Sequence, residues 1–204
     1  MITIDEIILR DFLKEIRESE YVDNLDWDEN CPGNIGFEIS PCNRQQFEEH
    51  FNSIKEKCTS ILEIGVCNNA EDSLTHVMIN NKIDSAFYFG VDIKDKTFLD
   101  NEEKNVFTVQ SDSADIKKIM AFVNSKGVKH FDFIFIDGWH SVNQVLKEWR
   151  FTEYLSDFGM VCLHDTNYHP GPRKFVDGLN PEKYVINKTC VEKIDWGITF
   201  ITRR

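Results

Sequence analysis

From Pro41 onward the hydrophobic positions switch repeatedly between helical spacing and unbroken runs. Phe47, Phe51, Ile54 and Cys58 recur every three to four residues and predict a helix. Ser60 to Val66 is then a nearly continuous apolar run broken by a glycine, which predicts a buried strand. Residues 71–80 predict a helix, residues 86–92 a second strand and residues 105–110 a short third one. Ile116, Ile119, Met120 and Val123 mark the next helix, and Phe131 to Asp137 forms the most apolar strand. Ser141 with Gln144 reads as a capping box for a helix whose face is Val142, Val145, Leu146 and Trp149. Residues 159–164 predict a fifth strand. Tyr168 to Gly178 reads as a loop, made rigid by two prolines. Two last strands, near 183–189 and 196–202, have no helix between them. Strands without polar alternation, separated by helices, imply a parallel sheet covered on both faces. A final pair joined by a short connection has to be antiparallel. The expected fold is a doubly wound, Rossmann-like α/β sandwich with a seven-stranded, mostly parallel sheet and an antiparallel C-terminal strand.

The first 40 residues follow another pattern. Ile4, Ile7, Ile8, Phe12 and Ile16 share a helical face, and residues 21–36 are acidic and turn-rich. The expectation is a helix and loop, residues 1–40, that cap the main domain of residues 41–204 or extend its substrate side. Thirty-five acidic residues against 23 basic ones give a net charge of −12. That balance argues against nucleic acid and against anionic membranes as partners. No run approaches the roughly 18–20 apolar residues of a membrane span, and the N-terminus lacks the basic start of a signal peptide. The six cysteines form no C-x-x-C pair, and several, Cys67 and Cys162 among them, read as reduced core thiols, so the expected location is cytoplasmic. Composition names no chemistry.

In open α/β sheets, ligands sit beyond the carboxyl ends of the strands. The polar residues there are Glu63 and Gly65, Asp92, Ser111-Asp112-Ser113, Asp137 to His140, and His164-Asp165. Acids at five successive strand ends exceed what loop solvation or helix capping asks for. A dinucleotide site wants G-x-G-x-x-G after the first strand, but positions 65, 67 and 70 are Gly, Cys and Ala. A Cys67 side chain would obstruct the pyrophosphate, so NAD(P) does not fit. A nucleoside without phosphates needs one tight turn, from Gly65, and an acid after the second strand. There Asp92 can accept hydrogen bonds from both ribose hydroxyls, while Asp112 and Ser113 receive the adenine. S-adenosylmethionine (SAM) meets these demands, and an acidic mouth suits its sulfonium cation.

Five segments carry a family resemblance: Leu62-Glu-Ile-Gly-Val66, Gly90-Val-Asp92, Ser111-Asp-Ser113, Phe133-Ile-Phe-Ile-Asp-Gly-Trp-His-Ser141 and Gly159-Met-Val-Cys-Leu-His-Asp165. In this order they resemble the motifs of class I SAM-dependent methyltransferases. The last two are similar to the branch with metal-dependent macrolide-sugar O-methyltransferases and cephalosporin-hydroxylase-like proteins. The resemblance covers roughly residues 40–204. It implies that Glu63 and Gly65 shape the methionine pocket, that Asp92 holds the ribose, and that Ser111, Asp112 and Ser113 surround the adenine. It further implies that Asp137 is a metal ligand beside the cofactor and that His140 is the general base. Where the branch commonly has Glu-Asp after the fifth strand, this chain has His164-Asp165. Asp137, His164 and Asp165 then form the candidate metal set. Asp137 and Asp165 suit Mg²⁺, whereas an imidazole suits Mn²⁺ or Fe²⁺ better. Asp137 could equally cap a helix, and Trp139 could be a platform for an acceptor or pack on a helix. The expected activity is O-methylation of a small-molecule or sugar hydroxyl. A catalytically silent SAM-binding module is the alternative, motivated by the glycine-poor first turn and by His164. The N-terminal helix could pair two subunits as a homodimer or cover its own sheet.

Overall fold

The structure is a computed structural model that describes residues 39–67, 73–167, 169–192 and 195–204. The expected N-terminal helix and loop lie outside the described residues, apart from Ile39 and Ser40. The described residues form seven strands and five α-helices, in the order α1 (Pro41–Ile54), β1 (Ser60–Ile64), α2 (Leu74–Asn81), β2 (Phe87–Asp92), β3 (Val106–Gln110), α3 (Ile116–Ser125), β4 (Phe131–Ile136), α4 (Val142–Glu148), β5 (Leu155–His164), α5 (Pro170–Asp177), β6 (Tyr184–Thr189) and β7 (Ile198–Arg203). They form one sheet in the order β3-β2-β1-β4-β5-β7-β6. β1 to β5 pair in parallel, and β7 runs antiparallel between β5 and β6. Strand order reverses between β1 and β4, which opens a crevice at their carboxyl ends.

Side chains alternate across each strand, so every buried strand feeds two cores. Leu62, Ile64, Phe89, Ile134 and Ile136 pack against Ile119 and Val123 of α3, Val145 of α4 and Phe175 of α5. Ile61, Tyr88, Phe133, Phe135 and Phe200 pack against Phe47 and Phe51 of α1 and Val77 and Met78 of α2. Phe47 meets Phe133 and Phe135 edge-on, with ring centroids 5.6 and 5.4 Å apart. The unbroken apolar runs exist because both faces are covered.

Three expectations are corrected. Residues 170–177 are helical, not a turn, because Pro170 and Pro172 fall in the first turn, where a preset φ fits and the absent N–H is not needed. The capping box is half formed: Gln144 N–H donates to Ser141 Oγ at 3.1 Å, but the Gln144 side chain reaches Ser113 instead of the cap. Finally, Cys42 and Cys190 form a disulfide between α1 and the end of β6, so these two are not reduced core thiols. No local spacing signals a pair separated by 148 residues. Cys58 and Cys162 are buried free thiols, whereas Cys67 is free but only half-buried. Among the described residues, no helix is long and apolar enough to cross a membrane.

Candidate active site

The crevice is a cleft of about 850 Å³ over the carboxyl ends of the central strands. Every candidate residue named from the sequence lines it: Glu63, Gly65, Asp92, Ser111, Asp112, Ser113, Asp137, His140, His164 and Asp165. Its size lies within the usual range for small-molecule sites.

At one end the turn after β1 approaches β4. Gly65 has φ +84°, a left-handed conformation, and a Cβ there would lie 2.0 Å from the Asp137 carbonyl oxygen. The turn lacks further glycines, and side chains hold it instead. Val66 N–H donates to Asp92 Oδ2 at 3.1 Å, and Lys94 N–H donates to Asp92 Oδ1 at 2.7 Å. Cys67 N–H donates to Thr75 Oγ1 at 3.2 Å, and Thr75 Oγ1 donates to Glu63 Oε1 at 2.6 Å. Glu63 also meets the Tyr88 hydroxyl. It therefore lies beneath the turn as a prop, on the α2 side of the sheet. Burial pushes its carboxyl up to about 8, against the lowering effect of the Thr75 and Tyr88 hydroxyls.

Glu63 thus makes a prediction about pH. Its pKa rises from 4.5 in an ordinary setting to about 8 in the fold, so between these values the folded state holds the extra proton. The stabilisation is full below the unfolded value and is lost as pH rises through about 8. Glu63→Gln cannot lose that proton. Its thermal midpoint should therefore decline less than that of the wild type between about pH 5 and about pH 8. Parallel midpoint curves would contradict the buried, protonated carboxyl.

Below the third strand end, Ser113 Oγ donates to Glu148 Oε1 at 2.6 Å, and Gln144 Nε2 donates to Ser113 Oγ at 2.7 Å. Asp112 is exposed, and its Oδ1 accepts from Ala114 N–H at 2.8 Å. Glu148 was not foreseen. It is fully buried at the end of α4, and burial raises its carboxyl to about 7. The available signal was its position three residues beyond Val145, at the margin of the apolar face.

The other end brings together two acids and three histidines. His140 Nε2 donates to Asp165 Oδ2 at 2.7 Å. His164 Nδ1 stands 3.2 Å from Asp137 Oδ1 and 3.3 Å from Asp165 Oδ1, while its Nε2 faces the Asn43 amide at 3.1 Å. Burial lowers the proton affinity of both rings, but the carboxylates outweigh it. His140 is raised to about 10, and His164 well above the usual histidine range. Burial works the other way on Asp137 and Asp165, and the facing His164 and His140 rings still hold both below the carboxylate range. His169 stacks on His140 with centroids 3.9 Å apart. Burial and that cation lower it to about 4. The start of α5 presses on this corner, since a Cβ on Gly171 would lie 1.8 Å from the His140 carbonyl oxygen. Asp165 itself has φ 60°, a strained setting that residues at functional sites often occupy.

Asp137, His164 and Asp165 each offer one ligand atom, all within 4.8 Å of one another. Two carboxylates and one imidazole fit a divalent ion, and the nitrogen donor favours Mn²⁺ or Fe²⁺ over Mg²⁺. Trp139 is 59% exposed at the cleft rather than packed on a helix.

No protein-family model and no curated protein matches the chain. Its fold matches solved structures. One is the MycE methyltransferase of the mycinamycin biosynthetic pathway, in complex with Mg, SAH and mycinamycin VI. The TM-score is 0.57 at 18% identity, covering 78% of this chain and 48% of that one. The chain thus spans about half the length of that protein. Another is the O-methyltransferase from Bacillus cereus in complex with SAH, with a TM-score of 0.55 at 15% identity over 100% of this chain and 94% of that one. A third is the fibrillarin pre-rRNA processing protein of Methanococcus jannaschii, with a TM-score of 0.53 at 14% identity over 70% and 65%. The fold is that of the class I methyltransferases, as the motifs implied. Since it also occurs in an RNA-processing protein, net acidity does not by itself exclude a nucleic-acid acceptor.

Proposed function

On this methyltransferase fold, we propose that the protein transfers a methyl group from SAM to a hydroxyl of a small molecule or sugar. The observation that carries the reading is the single cleft joining the Asp92 end to the His140–Asp165 end. Asp92 would accept from the ribose hydroxyls, Gly65 would let the backbone approach the donor, and Ser111 to Ser113 would flank the adenine. Glu63 would shape the methionine end indirectly, by propping the turn. Asp137, His164 and Asp165 would hold a divalent ion. Such an ion would offset the charge of the carboxylates facing His140 and would supply Lewis acidity toward an acceptor hydroxyl. His140 Nε2 would take the hydroxyl proton as the new O–C bond forms. The methyl C–S bond breaks with its electrons remaining on sulfur, which yields SAH.

A silent SAM-binding module is the second reading. The observation that favours it is that His140 Nε2 and His164 Nδ1 are both committed to carboxylates. Calorimetry with SAH tests what the two readings share: both expect saturable one-to-one binding, and a flat titration would remove both. Methyl transfer to a panel of hydroxyl acceptors separates them. A chelator should lower turnover by about tenfold or more, with Mn²⁺ restoring it better than Mg²⁺. Turnover indifferent to chelator would take the metal out of the reading.

A further inference from the structure

Lys96 is 3% exposed, at a position where a lysine is almost never buried without partners. It lies four residues beyond Asp92, outside the motifs that point to the cofactor. Its ammonium donates to the Val66 carbonyl oxygen at 2.5 Å and stands 3.5 Å from Asp92 Oδ2. The same Oδ2 accepts the Val66 N–H. One cation and one carboxylate therefore hold both polar groups of Val66, the residue that follows the left-handed glycine. A turn free to move has backbone conformations to lose on binding. The Lys96–Asp92 clamp removes that freedom beforehand.

We propose that Lys96 is a positioning residue of the cofactor site, setting both the β1 turn and the Asp92 carboxylate for a nucleoside. The proposal rests on the SAM reading above. Lys96 is not among the residues that line the cleft; it acts through Asp92 and Val66. Removing the ammonium leaves the Val66 carbonyl without this charged donor and Asp92 Oδ2 without its counter-charge. Asp92 can then turn from the ribose position, and the turn can open.

The test is calorimetric titration of SAH and of adenosine into the full chain as wild type, Lys96→Met, Lys96→Gln, Asp92→Asn and the Lys96→Met/Asp92→Asn double variant. Lys96→Met should weaken both ligands by about tenfold or more, by equal factors, because the damage lies at the nucleoside. Lys96→Gln keeps a neutral donor for Val66, so its loss should be smaller, and it remains informative if the Met variant does not fold. In the Asp92→Asn background, Lys96→Met should cost clearly less than in the wild type, since only its bond to the Val66 carbonyl remains to be lost. Equal losses in the two backgrounds would show a merely structural role and overturn the proposal. So would SAH affinity within about twofold of wild type in the Met variant, or in the Gln variant if only that one folds. Wild type that fails to bind SAH would instead overturn the cofactor reading and carry this proposal with it.

Discussion

Gly65→Ala should abolish detectable SAH binding and lower the unfolding free energy by about 2–5 kcal/mol. Two costs combine. At φ +84° a side chain strains the backbone, and the new Cβ would lie 2.0 Å from the Asp137 carbonyl oxygen and 2.5 Å from its carbon. These are backbone atoms, which cannot swing aside as the tip of a side chain can. Asp137 N–H donates to the Ile64 carbonyl at 2.8 Å, and Gly65 N–H donates to the Val91 carbonyl at 2.9 Å. Relief of the clash therefore has to separate β1 from β4 at their carboxyl ends. That movement carries Val66 away from Asp92 and Asp137 away from His164, so both ends of the cleft suffer. Urea unfolding and SAH calorimetry measure the two effects. Retention of wild-type SAH affinity would contradict the close approach on which the site is built.

His140→Ala should reduce methyl transfer by about 100- to 10,000-fold, the range a positioned base or acid supplies, while SAH affinity stays within about threefold. The ring sits at the opposite end of the cleft from Asp92, against Asp165 and His169. Steady-state rates on the acceptor found in the panel check the first part, and calorimetry checks the second. Turnover within about threefold of wild type would remove His140 from the chemistry. A pH effect accompanies the substitution. The wild-type ring has its pKa raised from 6.5 to about 10, so the His140–Asp165 pair contributes stability that is full below the unfolded value. That stability is lost as pH rises through about 10. The variant should have a flatter alkaline limb in thermal unfolding.

How far the site was legible depends on what each residue touches. Asp92, Ser113, Asp137, His140 and Asp165 were visible because strand ends can be counted along the chain and such sheets bind ligands there. The three residues expected from the sequence as metal ligands, Asp137, His164 and Asp165, do place one potential ligand atom each within 4.8 Å of the others. The props beneath the site were not legible. Glu63 reads as a pocket residue until Thr75 and Tyr88 are seen to occupy its oxygens. Lys96 reads as a loop charge until the fold closes over it. Glu148 reads as solvated, because helix periodicity reports a face and not the Ser113 hydroxyl brought to it from another strand end.

The sequence by itself determined the layered sheet, the cleft and the residues at its rim. Burial on both faces demands unbroken apolar runs, and a turn at φ +84° with a neighbouring strand pressed against it demands glycine. Both requirements act on a few consecutive positions, so they leave a local mark. The tertiary structure alone decided that Cys42 meets Cys190, that the 170–177 prolines begin a helix, and that Lys96 and Glu63 brace the turn from below. It also decided that His140 faces Asp165 at 2.7 Å and Asp137 at 3.9 Å, carboxylates that raise its pKa. The partners in the disulfide, the brace and the ion pair come from separate parts of the chain. Their energies depend on distance and burial in the assembled fold, and no local spacing encodes either.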